Sequence, residues 1–549
     1  MTKPMNVMWI MADQLRWDYL SCYGHKTLHT PHLDALAKRG VRFNRAYVQS
    51  PVCGASRMSY YTGRYCRSHG STWNGYPLRV GEPTLGDHLR PLGVRPAIVG
   101  KTHMIPDMEG MKRLGIDINS TIGLHISECG FEPYERDDGL HPRGFDPDPD
   151  YDTYLRQHGF EADNPWEDWA NSGFDDKGEL KNGWLLKYSR LPARVPDEHS
   201  ETPYMTTRAM DFIRDAGDQP WLCHLSFIKP HWPYIVPAPY HDMYGVKDIQ
   251  PAQRSEAEKQ TNHPVFGSYI RSRICESFAR DEAREHVIPA YMGLVKQIDD
   301  QMGRLFAFME ERGLFENTMI VFTSDHGDYL GDHWMGEKDL FHDPSVRVPL
   351  IIYDPRPEAN ATRGHVSEDL VEGIDLAPTF LEYFGGAPKP QVLEGRSLSP
   401  LLHGKPTKWR EVAISEFDYA TREARLDLGL DEKDARLIMA CDKRFKYWHC
   451  EGFRPMLFDL EKDPLELNDL GEHPDYADVR HRLREAIFEW ARRHHNRFTL
   501  TPQRIDQMAG KEPPGILIGF WDEKEFEDYF GAPFDKRPVK DPPYKRRES

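Results

Sequence analysis

Four short apolar runs, each halting on polar or charged residues, constrain this chain more than any other feature. They are NVMWIMADQ at 6 to 14, RPAIVGKTH at 95 to 103, PWLCHLSFIKPH at 220 to 231 and NTMIVFTSDHGD at 317 to 328. Runs of this length without alternation read as strands buried on both faces, which requires a mostly parallel sheet covered by helices. Helical patterning lies between them, most clearly over 289 to 312. There Tyr291, Val295, Ile298, Met302, Leu305 and Met309 recur at alternating spacings of four and three, and Gly313 supplies the stop. From about Arg410 the texture changes to the alternating runs EVAISEFDY and RLIMACDKRFKYWHC, with Asp442 and Lys443 at a hairpin turn and a helix near 476 to 494. The predicted class is α/β, a large mostly parallel sheet flanked by helices, with a smaller C-terminal antiparallel sheet plus helix.

The expected organisation is a large α/β domain over 1–409, a small α+β subdomain over 410–498 and a C-terminal arm over 499–549. Such an arm becomes ordered only by docking, on its own or a neighbouring subunit. Within the large domain, 104–200 is rich in Asp, Gly, Pro and Trp with little periodicity and reads as a long insertion over the sheet, a candidate lid. Its acidic run DPDPDYD reads as solvated loop.

In open α/β sheets ligands collect beyond the carboxyl ends of the strands. The polar residues that directly follow the apolar runs are therefore the site candidates: Asp13 and Gln14, Lys101 and His103, His231, Asp325 and His326. One further stretch stands out, PVCGASRMSYYTGRY at 51 to 65. An isolated cysteine is usually a small buried apolar residue, but Cys53 sits in a Pro, Gly and Ser turn with Arg57 nearby, a setting that stabilises an anion.

Over 549 residues the net charge is −17, which argues against a nucleic acid or an anionic membrane as partner. A small anionic substrate would need a local cationic pocket. Eight scattered cysteines with no CxxC pair fit neither a zinc framework nor a disulfide scaffold, so each is expected reduced. The first residues carry an apolar run too short for a secretory signal or a membrane span, which predicts a soluble, cytoplasmic protein.

CGASR followed by TGR resembles the sulfatase signature, CxPxR or CxAxR with its downstream TGR, at which cysteine is converted to formylglycine. The resemblance is to the sulfatases and phosphonate monoester hydrolases of the alkaline phosphatase superfamily. TPHLDALAKRGVRFNRAY, SDHGDYLGDHWMGEKDLFHDPSVRVPLIIYDP and LFDLEKDPLELNDL resemble family blocks in the expected order. Ala55 departs from the usual proline. The resemblance implies an alkaline-phosphatase-like fold and maturation by a formylglycine-generating enzyme. It further implies one divalent metal held by Asp13, Gln14, Asp325, His326 and the modified Cys53.

Most sulfatases use an all-oxygen set suited to Ca²⁺. Gln14 and His326 depart toward the set of phosphonate monoester hydrolases and choline-sulfatase-like enzymes, and a nitrogen ligand favours Mn²⁺, with Ca²⁺ second. Lys101, His103, His231, Lys338 and Asn74 map onto positions that bind sulfuryl or phosphoryl oxygens and handle protons, with Arg57 the catalytic cation beside position 53. The implied activity is an arylsulfatase-like hydrolysis of sulfate monoesters. The alternative is a phosphonate monoester hydrolase or phosphodiesterase with promiscuous sulfatase activity. A remoter alternative is a noncatalytic metal or anion binder with unmodified Cys53. Lys101-x-His103 is sulfatase-like. The Asp-Gln and Asp-His pairs, Asn74 and the long tail, through which relatives form dimers or tetramers, lean toward the phosphonate hydrolases.

Overall fold

The computed structural model describes residues 5–141, 149–493, 500–509 and 521–536. Eight strands form the large sheet. In chain order they are β1 (Asn6–Asp13), β2 (Val41–Tyr47), β3 (Arg95–Gly100), β4 (Glu132–Arg136), β5 (Trp221–Pro230), β6 (Thr318–Ser324), β7 (Arg347–Tyr353) and β8 (His365–Glu372). Their spatial order is β8-β2-β7-β6-β1-β5-β3-β4. The β6, β1, β5, β3 and β4 block is parallel throughout. β7 runs antiparallel to both neighbours, so the sheet is mixed toward one edge.

Every residue of β1, β5 and β6 is buried, which is why these strands read as unbroken apolar runs. Successive side chains of β1 serve opposite faces: Val7, Trp9 and Met11 join one core, while Met8, Ile10 and Ala12 join the other. Because β1 lies between β6 and β5 at the middle of the sheet, whatever follows it projects over the centre of the molecule.

The helix expected over 289 to 312 begins earlier, at Asp281, and runs to Glu311 with Pro289 inside. Val287 and Ile288 are buried with the rest of its apolar stripe, and that packing outweighs the roughly 3 kcal/mol that an interior proline costs. The 104–200 segment is more than an excursion, because it supplies the edge strand β4. Its remaining elements, among them helices Met108–Leu114, Thr121–Ser127 and Asp150–Gln157, are too short to show a period. Residues 146 to 148 of the acidic run lie outside the described residues.

A second, antiparallel sheet comprises β9 (Ala413–Asp418), β10 (Arg436–Cys441), β11 (Phe445–Cys450) and β12 (Met456–Asp459) in sequential order. Asp442 Oδ1 accepts the N–H groups of Arg444 and Phe445 at the β10–β11 turn. One face packs on the helix Ala477–Arg492 through Leu483 and Ile487. The other shares a core with Ala55, Met58, Tyr60 and Tyr61 of the large domain. Residues 5–388 and 392–493 accordingly belong to one compact unit. The arm falls in a second unit, of which the helices Pro502–Met508 and Glu523–Phe530 are described. Among the described residues no helix is long and apolar enough to cross a membrane.

Candidate active site

Cys53 is the first residue of the helix Cys53–Thr62 and is fully buried. The helix dipole places partial positive charge at that end. Gly54 donates its N–H to Asn74 Oδ1 at 2.7 Å. A Cβ at Gly54 would lie 2.9 Å from that same oxygen, so the glycine is what allows Asn74 to close over the helix start. Gly63, at φ 66°, ends the helix by donating to Ser59 O.

Arg57, one helical turn on, is fully buried and uses its guanidinium as a bracket. Nε donates to Asp325 Oδ2 at 2.8 Å and one terminal nitrogen to Asp13 Oδ2 at 3.1 Å. The other terminal nitrogen donates to Lys101 O and Ser226 Oγ at 2.8 and 2.7 Å. Arg57 thereby ties β5 and the ends of β1, β3 and β6 to the Cys53 helix. Lys101 Nζ reaches the same Asp13 oxygen at 2.7 Å.

Each buried carboxylate thus spends Oδ2 on cations and turns Oδ1 into a common space. Asp13 Oδ1 and Asp325 Oδ1 lie 4.0 and 3.9 Å from His326 Nε2. His326 Nδ1 donates to Gly327 O at 2.8 Å, which directs Nε2 into that space, 2.9 Å from Cys53 Sγ. Asp13, Cys53, Asp325 and His326 offer one donor each, all within 4.8 Å of one another. Gln14 joins them with a left-handed backbone, φ 64°. Both amide hydrogens are engaged, by Asp328 Oδ2 at 2.5 Å and Tyr234 OH at 3.1 Å. The amide oxygen is therefore the atom facing inward, where Lys338 Nζ meets it at 3.2 Å. Two carboxylate oxygens, an amide oxygen and an imidazole nitrogen fit a divalent cation with some affinity for nitrogen.

The electrostatics favour an anion at position 53. Burial pushes the Cys53 thiol up, but Lys338, His326 and Lys101 outweigh it and hold it well below its ordinary value. Lys338 Nζ lies 2.9 Å from the sulfur. Burial works against charge on Lys338, yet the opposing Cys53 thiolate raises it above the usual lysine value. Burial lowers His231 to about 4 despite Asp13, with Lys101 and Lys338 adding to the effect. Its Nε2 sits 3.5 Å from Lys338 Nζ, and its Nδ1 is held by Trp232 O at 2.8 Å. His103, at φ 55°, also supports the thiolate, and its backbone N–H is anchored by Asp138 Oδ1 at 2.9 Å.

The structure brings Asp13, Gln14, Cys53, Arg57, Lys101, His103, His231, Asp325, His326 and Lys338 to one place. Asn74 stands one step away, holding the Gly54 backbone. Four participants were absent from the sequence reading: Ser226, Tyr234, Asp328 and Asp138. Asp328, two residues after His326, was within reach of the strand-end rule. Tyr234 and Asp138 become visible only when separate loops meet.

Two family models match the chain: Sulfatase over residues 5–387, and N-sulphoglucosamine sulphohydrolase, C-terminal, over residues 331–493. The multifunctional alkaline phosphatase superfamily protein PehA of Trinickia caryophylli is 32% identical, over 91% of this chain and 97% of its own. An arylsulfatase of Clostridium perfringens is 28% identical, over 89% and 94%. The phosphonate monoester hydrolase of Silicibacter pomeroyi superposes with a TM-score of 0.78 at 28% identity, covering 90% of this chain and 96% of that one. With the signature, the strand-end cluster and a family model spanning most of its length in agreement, the chain belongs to the sulfatase family, within the alkaline phosphatase superfamily.

Proposed function

We propose that the protein hydrolyses sulfate monoesters through a formylglycine at position 53. Family membership implies that modification and a divalent metal. The observation that carries the reading is the set of three buried cations, Arg57, Lys101 and Lys338, gathered around one helix-start nucleophile beside the Asp13, Asp325 and His326 donors. A divalent ion, when bound, supplies Lewis-acid polarisation at this cluster. The imidazole donor favours Mn²⁺, with Ca²⁺ second.

A formylglycine-generating enzyme converts Cys53 to the aldehyde, which adds water to give a geminal diol. One hydroxyl attacks sulfur while Asp325 accepts its proton. A bond forms from that oxygen to sulfur, and the ester bond to the leaving group breaks. The leaving oxygen takes a proton from His231. In the free site burial, with Lys101 and Lys338 adding to it, disfavours that proton, and the arriving ester anion offsets the two lysines. Lys101 and Lys338 hold the nonbridging oxygens. The second hydroxyl then gives its proton to His103, the carbonyl re-forms, and the bond to sulfate breaks. The aldehyde is regenerated without water attacking sulfur, which is the advantage of a diol over a serine.

A second reading, hydrolysis of phosphonate monoesters or phosphodiesters, is favoured by the Gln14 and His326 donors and by the likeness to a phosphonate monoester hydrolase. The Lys101-x-His103 pair, which contacts substrate in our reading, weighs toward sulfate. Turnover of an aryl sulfate against a phenyl phosphonate monoester, with Cys53→Ala as blank, decides between them, and a larger kcat/KM for the phosphonate overturns the choice. Eight free cysteines fit the reducing cytoplasm in which we place the protein. We assign the arm to a homodimer or homotetramer contact, and an unchanged elution volume after deletion of residues 500–549 would remove it from that role.

A further inference from the structure

His231, the leaving-group acid in the reading above, packs against an indole. Its ring centroid lies 4.0 Å from that of Trp232, and Lys338 Nζ sits 5.9 Å from the same indole. Trp184 follows at 5.1 Å from Trp232 with its plane tilted by 51°. Behind it, at 6.1 Å, Trp166 is buried, donates Nε1 to Glu201 Oε1 at 2.8 Å and packs on His141. The row of rings is thus anchored at its inner end and open at Trp184, which is 39% exposed.

The position of Trp184 is fixed by the backbone. Its N–H donates to Asn182 Oδ1 at 2.9 Å. The preceding Gly183 has no room for a side chain, since a Cβ would lie 2.8 Å from Asn171 O and 2.9 Å from Ile235 Cγ2. Next to it Leu185 is also exposed. A single exposed apolar side chain needs no explanation. An exposed indole held rigidly, and continuous through Trp232 with the acid's own ring, is different. Trp232 Nε1 is moreover buried and donates to no group among the described residues, an unfavourable state that an acceptor on a bound ester would relieve.

We propose that Trp232 and Trp184 form the leaving-group subsite, and that the enzyme's esters carry a planar aromatic leaving group. The proposal rests on the reading of His231 as the acid that protonates the departing oxygen. With that oxygen at His231 Nε2, an attached ring extends along the indoles, whereas a short alkyl group would leave them in water. Aromatic contacts of this kind are worth about tenfold in affinity when two act together.

Binding to metal-loaded Cys53→Ala protein, which cannot turn over, tests the subsite separately from the chemistry. By titration calorimetry phenyl sulfate should bind about tenfold more tightly than methyl sulfate, and Trp184→Ala should collapse that preference. Trp232→Leu should do the same. Equal affinities for the two esters, or a preference that survives Trp184→Ala, would overturn the proposal. A retained aryl preference in protein whose wild type hydrolyses neither ester would instead refute the hydrolase reading and leave the aromatic subsite standing.

Discussion

Lys338 Nζ lies 2.9 Å from Cys53 Sγ, both buried, and the same ammonium reaches Gln14 Oε1 at 3.2 Å. One cation therefore touches the proposed nucleophile position and a proposed metal donor together. Lys338→Ala should lower kcat/KM by about 10²–10³-fold, as removal of a preorganised charge stabiliser does. Steady-state kinetics check this, and a change below threefold would place Lys338 outside the chemistry.

Arg57 brackets two fully buried carboxylates. Arg57→Ala leaves Asp13 and Asp325 underpaired and should destabilise the metal-free protein by about 3–5 kcal/mol. Chemical denaturation with chelator present measures this. Added divalent metal should recover part of the loss, since a cation held at the Oδ1 atoms compensates the same two carboxylates.

Asp328 and Tyr234 decide which end of the Gln14 amide faces inward. Asp328→Ala, which removes the acceptor, should weaken metal affinity by about 10–100-fold, the usual effect of losing a group that orients a ligand. Competition with a chromophoric chelator gives the constant directly, without reference to turnover.

His141 is buried between Asp137 Oδ1 at 2.9 Å and Asp152 Oδ2 at 3.1 Å. Burial opposes its charge, but Asp137 and Asp152 prevail and raise it to about 10. A raised histidine contributes stability that is fully present below about pH 6.5 and is lost as pH rises through about 10. His141→Gln should therefore cost about 3 kcal/mol at pH 6 and much less above pH 10, read from denaturation midpoints at the two pH values.

The parallel block and its strand-end residues were legible because β1, β5 and β6 are buried on both faces, and such strands cannot hide in the sequence. Asp13, Gln14, Asp325 and His326 follow from that alone. Cys53 needed the added weight of Arg57 and the TGR. That TGR has a folded role as well: Thr62 bonds back to Met58 O, Gly63 turns the chain out of the helix and Arg64 pairs with buried Glu82. Asn74 was legible as a candidate, yet its oxygen holds a backbone N–H, a geometry that spacing cannot reveal. β4 was missed because a five-residue edge strand inside a Gly- and Pro-rich segment has no period to detect. Tyr234, Asp138 and the tryptophan row depend on contacts between separate loops, for which one sequence carries no signal.

The most direct measurement is the mass of the tryptic peptide AYVQSPVCGASR, residues 46 to 57, from protein active toward a sulfate ester. We expect the cysteine to have exchanged its sulfur and two hydrogens for one oxygen, with the extent of exchange tracking specific activity across preparations. An unmodified thiol in fully active enzyme would contradict a diol nucleophile at Cys53 outright.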